Sequence, residues 1–326
     1  MNQFGNSFRL SIWGESHGPA VGITIDGLKP GIALSEADFE GDLKRRRGGV
    51  VGTTPRSEAD QPHILSGLYE GHTTGAPLTI LFTNDNTRSK DYSNLTHHFR
   101  PSHADRVAAV KYEGLNDPRG GGHFSARLTV ALVAAGVVAK KLLPENLTFA
   151  TRLVAVGGEC NPARFEEVIR TAQAEGDSVG GVVECRIQGA PTGWGEPLFD
   201  SVESVASHLL FSIPAVKGVE FGDGFAVAER RGSENNDLIL DGEGHTATNH
   251  AGGIDGGITN GNEVVVRVAF KPTPSISREQ LTFDTATGNI EPLTIHGRHD
   301  SCVALRGAVV VEAAMAITLA ELSLRR

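Results

Sequence analysis

The sequence predicts a mixed fold of the α/β class, α+β in type. Three observations carry the expectation: short apolar-alternating runs, helices with recognisable caps between them, and glycine clusters at the joints. The 40 glycines among 326 residues exceed the ordinary share of ~7%. Their clusters at Gly120–Gly122, Gly180–Gly181, Gly252–Gly253 and Gly256–Gly257 read as tight turns and close backbone approaches. The length admits one large domain or two ordinary ones, and no linker or shift in composition marks a boundary.

Residues 8–13 alternate like a strand, and residues 20–26 like its successor. Between them lies GESHG, whose His17 reads either as a group exposed to a cleft or as a turn residue. Ser35 is an N-cap with Glu36 and Asp38 in the first turn, and its helix ends in Lys44-Arg45-Arg46-Arg47, where cations complement the helix dipole. Residues 50–77 are loop-like in their Gly, Pro and Thr content. Residues 78–83 form a strand, with the polar loop NDNTRSKDYS after it. Residues 146–156 are a strand. Asn161-Pro162 opens a helix to Ala174, with Gly176 as its stop. Residues 179–187 are another strand, Asp200 or Ser201 caps a helix to about Phe211, and residues 264–270 are a buried strand. Residues 307–322 are apolar on most sides, hence a core helix.

The most unusual stretch is FRPSHADRVAAVKYEGLNDPRGGGHFSAR, residues 99–127. It gathers Arg100, Arg106, Arg119, Arg127, His103 and His123 around the glycine triplet, ahead of an alanine-rich segment. Arginines supply forked donors for phosphate or carboxylate, and glycines let a backbone approach a ligand. The same stretch also reads as a solvated loop leading into a core helix. Three further loops stand out: TNHAGGIDGGITNG (248–261), KPTPSIS (271–277) and GRHDSC (297–302). The loops rather than the regular elements hold the unusual chemistry.

A net charge of −9 with 6% aromatic residues argues against nucleic acid as a partner. The longest apolar run, residues 128–139, falls short of the ~20 residues that span a bilayer, so no membrane partner is expected. Cys160, Cys185 and Cys302 form no CxxC pair, and the start of the sequence lacks a signal-peptide core. Both point to a soluble, cytoplasmic protein. No GxxxxGK[ST], no GxGxxG in a βαβ unit and no GxSxG is present. His97, His98 and His103 cluster, as do His296 and His299, but without HExxH or a cysteine pair, so no metal is expected. An arginine-rich anion site with histidines in its loops remains.

Taken together, GESHG, DLKRRR, ILSGLYEGHTTGAPL, RSKDYS, FRPSHAD, GGGHFSAR, TNHAGGIDGG, KPTPSI and GRHDSCV resemble the chorismate synthase family, in the family's order over residues 8–322. The resemblance implies one catalytic domain over residues 1–326, folded as a β-α-β sandwich and assembled as a homotetramer. It implies a shikimate-pathway lyase that eliminates phosphate from 5-enolpyruvylshikimate 3-phosphate to give chorismate, using reduced FMN without net redox change. NADPH or an external flavin reductase would supply the electrons. By resemblance, His17 protonates the departing phosphate and His103 supplies a proton near the flavin. Asp300 with Ser16 assists deprotonation at the flavin. Arg46, Arg47, Arg100 and Arg127 meet the substrate's charge. Flavin contacts fall on His123, Ser125, Ala215, Gly256, Lys271, Pro272, Thr273, Pro274, Ser275 and Arg298.

The chain departs from the family pattern at Ser102 (glycine is usual), at Ser301 (proline is usual), and at His123 and Phe124 (arginine and serine are usual). The loop after Arg47 is one residue short. A metal-dependent phosphohydrolase and a non-catalytic anion-binding module are the competing readings.

Overall fold

The computed structural model describes residues 2–54, 58–85, 97–295, 297 and 299–325. The chain opens with strands β1 (Gln3–Phe4), β2 (Arg9–Gly14) and β3 (Ala20–Asp26), then helix α1 (Glu40–Arg46). Next come β4 (His63–Ser66), the small hairpin β5 (Leu68–Tyr69) and β6 (His72–Thr73), and β7 (Leu78–Thr83). These build an antiparallel sheet in the order β1-β2-β3-β7-β4. Helices α2 (Asp105–Lys111) and α3 (Thr129–Lys140) follow, then β8 (Thr148–Val156), α4 (Phe165–Ala174), β9 (Gly181–Gln188), α5 (Val202–Leu210) and β10 (Val216–Phe221). After the short helix α6 (Gly232–Asn235) come the hairpin β11 (Ile254–Asp255) and β12 (Ile258–Thr259), then β13 (Val264–Phe270). A second antiparallel sheet runs β10-β13-β9-β8. The hairpin of β14 (Gln280–Phe283) and β15 (Ile290–Leu293) precedes the last helix, α7 (Ala304–Ser323).

The layers are sheet, helices, sheet. Helix α3 packs on β3 of the first sheet, α7 packs on β8 and β9 of the second, and the two helices lie against each other. Gly136 permits that approach, since a Cβ there would come within 2.4 Å of the Ala313 Cβ. Both helices are buried on nearly every side. Their sequences are therefore apolar all round, without the one-sided stripe of a surface helix. Arg119–Lys140 has the length and composition to cross a membrane, but 78% of that window is buried inside the fold. The left-handed backbone of Gly120–Gly122 also confines its regular helix to α3.

Most expected elements are present. Residues 20–26, 78–83 and 264–270 match β3, β7 and β13, and the capped helices match α4, which follows a short 3-10 turn after Asn161, and α5 with Ser201 as its cap. Two expectations need correction, and two elements were not expected. Residues 50–77 are not all loop, because β4 pairs with β7 and a small hairpin follows; β4 is four half-exposed residues, too few to show a period. The helix after Ser35 begins as a 3-10 turn, Glu36–Phe39. Strand β10 carries Lys217 and Glu220 and reads as polar, and α2 is only seven residues long. The RSKDYS motif, His296 and Arg298 lie outside the described residues.

Two buried carboxylates tie the layers together. Glu321 near the end of α7 accepts the backbone N–H groups of Asn6, Ser7 and Phe8 at 2.9, 3.0 and 2.6 Å, which fixes the start of the chain beside β2. Glu312 accepts Arg45 at 2.8 and 2.6 Å and Lys140 at 2.7 Å, joining α1, α3 and α7. Burial alone would raise its carboxyl, but the hydrogen bonds and charges of Arg45 and Lys140 outweigh this and hold it at about 2. A carboxyl depressed in the folded state adds stability above its ordinary value near 4.5 and loses it as pH falls toward 2. Glu312→Gln should therefore remove roughly 3 kcal/mol at pH 7 and flatten the acid limb of stability. Urea midpoints between pH 7 and 2.5 that keep the wild-type slope would contradict this.

Candidate active site

The ends of α1 and α7, the loops before α2 and α3, and the segment after β13 converge on a cleft of about 670 Å³. Among the described residues, its wall carries seven cationic side chains (Arg46, Arg47, Arg100, Arg127, Lys217, Lys271, Arg306) against three carboxylates (Glu58, Asp60, Asp300). Apolar residues such as Ile12, Leu132 and Val303 line the remainder. In a chain of net charge −9, this is a local excess of cations in a concave, half-apolar space, the pattern of a site for a polyanionic small molecule.

The floor is organised by Asp60, 3% exposed, which accepts both Arg46 Nη1 and Arg127 Nη1. Arg46 also donates to Thr129 Oγ1 and to the carbonyls of Ala126 and Arg127. Arg127 donates further to Asn84 Oδ1 and the Thr83 carbonyl. Burial draws the Arg46 guanidinium down to about 9, and Asp60 opposes it. Burial pushes Asp60 up, but Arg46 and Arg127 prevail and keep it below the ordinary carboxylate range. Arg47, next to them, is less committed: its Nε has no hydrogen-bond partner among the described residues, and its Nη2 reaches the Asp60 carbonyl only at 3.5 Å.

On the opposite wall, His103 Nδ1 lies 2.6 Å from Asp105 Oδ1, and Arg100 grips the same carboxylate. Ser102 has φ +57°, in the region glycine favours. Its carbonyl accepts Lys271 Nζ at 2.5 Å, so the turn is tied to the segment after β13. Relief of the left-handed strain and the added freedom of the unfolded chain nearly cancel. Ser102→Gly should thus change stability by less than about 1 kcal/mol, as thermal unfolding would register. Burial, with Lys217 nearby, lowers the Lys271 ammonium from its ordinary value. Asp300 accepts the Thr54 N–H at 2.8 Å and Arg306 Nη1 at 3.1 Å.

His103, Asp300, the four arginines, His123, Ser125, Ala215, Lys271, Thr273, Pro274 and Ser275 all line the cleft. Ser16 and His17 lie just behind it. A Cβ on Gly120 would fall 2.2 Å from His17 Cε1 and 3.0 Å from Ser16 Oγ, so only glycine at 120 leaves the imidazole room. The buried Ser16 Oγ has no hydrogen-bond partner among the described residues. Pro272 is set back from the wall, and Gly256 is not brought to the cleft of its own chain. It lies in the β11–β12 turn, where its neighbour Gly257 accepts the Val202 N–H at the N-terminal end of α5, whereas Leu209 and Phe211 at the other end face the cleft. His123 makes two contacts of its own, to the Gly14 carbonyl at 3.1 Å and Asn2 Oδ1 at 3.0 Å, and so holds β1 at the rim. His98 parts from His103 and faces Asp284 at 3.3 Å.

Sequence reasoning missed Asp60, Asp105, Lys217 and Arg306. Asp105 stood inside the FRPSHAD motif, and Arg306 three residues past GRHDSCV, so both lay in or beside a visible signal. Asp60 and Lys217 had none.

Comparison with known proteins agrees with this architecture. A family model described as chorismate synthase matches residues 8–324. A curated chorismate synthase of Chitinophaga pinensis is 55% identical, over 99% of this chain and 97% of its own length. One from Novosphingobium aromaticivorans is 45% identical over 98% of this chain and 96% of its own length. A crystal structure of chorismate synthase superposes with a TM-score of 0.75 at 28% identity, over 98% of this chain and 93% of the other. With the sheet–helix–sheet layers and the cationic cleft, these matches make the chain a member of the chorismate synthase family, the shikimate-pathway lyases that form chorismate by eliminating phosphate from 5-enolpyruvylshikimate 3-phosphate.

Proposed function

We propose that residues 1–326 form one catalytic domain whose cleft binds 5-enolpyruvylshikimate 3-phosphate together with reduced FMN. The observation that carries the reading is the excess, among the described residues, of seven cations over three carboxylates in one cleft. The substrate brings a phosphate and two carboxylates, and a partly dehydrated site strengthens every attraction to them. The flavin fits the residues present. Thr273 Oγ1 is buried without a hydrogen-bond partner among the described residues, and Lys271 and Ser275 stand on the same segment, suited to a phosphate and its polyol chain. Bound reduced flavin supplies an electron-rich ring beside the substrate.

The chain's own residues handle charge and protons. His17, under Gly120, donates a proton to the leaving phosphate, because a protonated phosphate departs more readily. His103 Nε2 exchanges a proton with the ligand, and Asp300, held by Thr54 and Arg306, keeps a carboxylate available to accept one, with the Ser16 hydroxyl assisting. Arg46, Arg100 and Arg127 supply fixed positive charge from behind, whereas Arg47 has donors to spare for the substrate. Losing one charged hydrogen bond is worth about 1.5–3 kcal/mol. Arg47→Ala should accordingly raise KM about 10–100-fold with kcat little changed; a fall in kcat at an unchanged KM would reject that role.

NADPH or an external flavin reductase provides the electrons, and the protein works as a cytoplasmic homotetramer. Phe199 and Phe225, 89% and 84% exposed, are apolar surface that assembly would cover, and sedimentation of the pure protein tests the assembly. The deciding experiment is anaerobic phosphate release from 5-enolpyruvylshikimate 3-phosphate, with FMN oxidised in one sample and chemically reduced in the other. Release with chorismate only in the reduced sample is expected. Equal release in both, abolished by a chelator, would replace the lyase reading by a metal-dependent hydrolase.

A further inference from the structure

His103 sits in a bonded chain that determines which of its nitrogens carries the proton. Its Nδ1 lies 2.6 Å from Asp105 Oδ1. Asp105 Oδ2 accepts Arg100 N at 3.1 Å and Arg100 Nε at 2.8 Å, while Oδ1 also accepts Arg100 Nη2 at 2.7 Å. Arg100 is 4% exposed, and its Nη1 donates to Ser275 Oγ at 3.1 Å. On the other side of the ring, Cε1 and Nε2 lie 3.5 Å from where a Cβ on Gly121 would stand, so that edge faces the glycine loop. Among the described residues, the charged groups around the imidazole are Asp105, Arg100 and Arg106 from its own segment, with Lys271 reaching in from the segment after β13 to the Ser102 carbonyl.

An ionised carboxylate accepts and never donates, so the ring nitrogen facing it must carry the hydrogen. Burial would raise the Asp105 carboxyl, but Arg100 and His103 outweigh it and hold it far below the ordinary carboxylate range. We propose that Asp105 is a positioning residue that fixes His103 as the Nδ1–H tautomer with Nε2 left to serve the cleft, and that Arg100 serves the same site by locking Asp105 against Ser275. The proposal builds on the reading of His103 given above. It also gives Arg100 a purpose beyond its charge.

The geometry predicts what loss of the Asp105 charge does. In Asp105→Asn the amide oxygen takes the Oδ2 position, where Arg100 N and Arg100 Nε both donate, and only the Arg100 Nη2 bond to Oδ1 is lost; the reverse placement would lose two. The amide NH2 is then left facing His103 Nδ1 and donates to it. The ring must turn to the Nε2–H tautomer, whose Nε2 can no longer take up a proton from the cleft, so the exchange loses one of its two directions.

The test is NMR of the full, ligand-free chain labelled with ¹⁵N-histidine, with the His103 resonances identified by their loss in His103→Ala. The neutral wild-type ring should carry its proton on Nδ1. Asp105→Asn should move it to Nε2 and lower kcat about 10²–10⁴-fold, with KM changed less than threefold and the far-UV circular dichroism retained. A wild-type ring protonated on Nε2, or an Asp105→Asn protein that keeps both tautomer and kcat, overturns the proposal. The wild-type spectrum needs no variant, so a failure of Asp105→Asn to fold does not remove the test. A switched tautomer with unchanged kcat supports the positioning role and removes His103 from the mechanism, so the two readings fail separately.

Discussion

His103→Ala is expected to lower kcat by about 10²–10⁴-fold, the usual range for loss of a positioned general acid or base. Two features lead to this expectation. The ring lines a cleft rich in cations, where a proton carrier can work against bound anionic groups. Its Nδ1 is already committed to Asp105, so a single nitrogen is left to act toward the ligand. Ligand affinity should fall far less than turnover, because the fixed charges of Arg46, Arg47, Arg127 and Lys271 remain. Steady-state kinetics with reduced FMN, together with FMN titration, would separate the two effects. Turnover within about threefold of wild type would exclude His103 from the chemistry. His17→Ala and Asp300→Asn should behave alike, since each removes a proton-carrying group while sparing the arginines.

Asp60→Asn should destabilise the fold by roughly 3–5 kcal/mol, the cost of leaving a buried charge without its partner. The aspartate is 3% exposed and is the carboxylate shared by Arg46 and Arg127, themselves 2% and 6% exposed. An amide oxygen can receive one hydrogen bond from this pair but cannot offset two positive charges. The backbone adds to the constraint: Asp60 has φ +47°, a conformation that asparagine tolerates. Any loss can then be ascribed to charge rather than to the turn. Equilibrium unfolding in urea gives the number directly, and a loss under about 1 kcal/mol would show that the two arginines find water instead. A variant that folds should also bind substrate weakly, because the freed guanidiniums no longer hold the cleft floor in shape.

Much of the architecture was legible because apolar pattern and capping act locally. Strands β3, β7 and β13 alternate or run apolar over six or seven residues, and Ser201 caps α5 through a bond to the Ser204 N–H only three residues on. Strand β10 was hidden because Lys217 and Glu220 interrupt its apolar pattern. Glu220 is matched by Arg267 on the neighbouring strand, a pairing that only the sheet creates. The candidate site divides in the same way. His103 and Asp105 are two residues apart in a motif, so their pairing needs only one turn of chain. Asp60 lies 14 residues from Arg46 and 67 from Arg127, and no sequence period connects the three.

By itself the sequence determined the class of fold, the family through nine ordered motifs, and the chemical types that a phosphate elimination calls for. Those properties reside in residue identity and short spacing. Tertiary structure alone decided how the cations are employed. It turned three of the four expected arginines largely inward, onto Asp60, Asp105, Ser275 and backbone carbonyls, and left Arg47 with donors to spare. It placed His17 under Gly120 and kept Gly256 out of the cleft, in the β11–β12 turn. A guanidinium carries the same charge wherever it stands in a sequence. Whether it meets a ligand or a buried carboxylate depends on which distant groups the packed layers bring within hydrogen-bond reach.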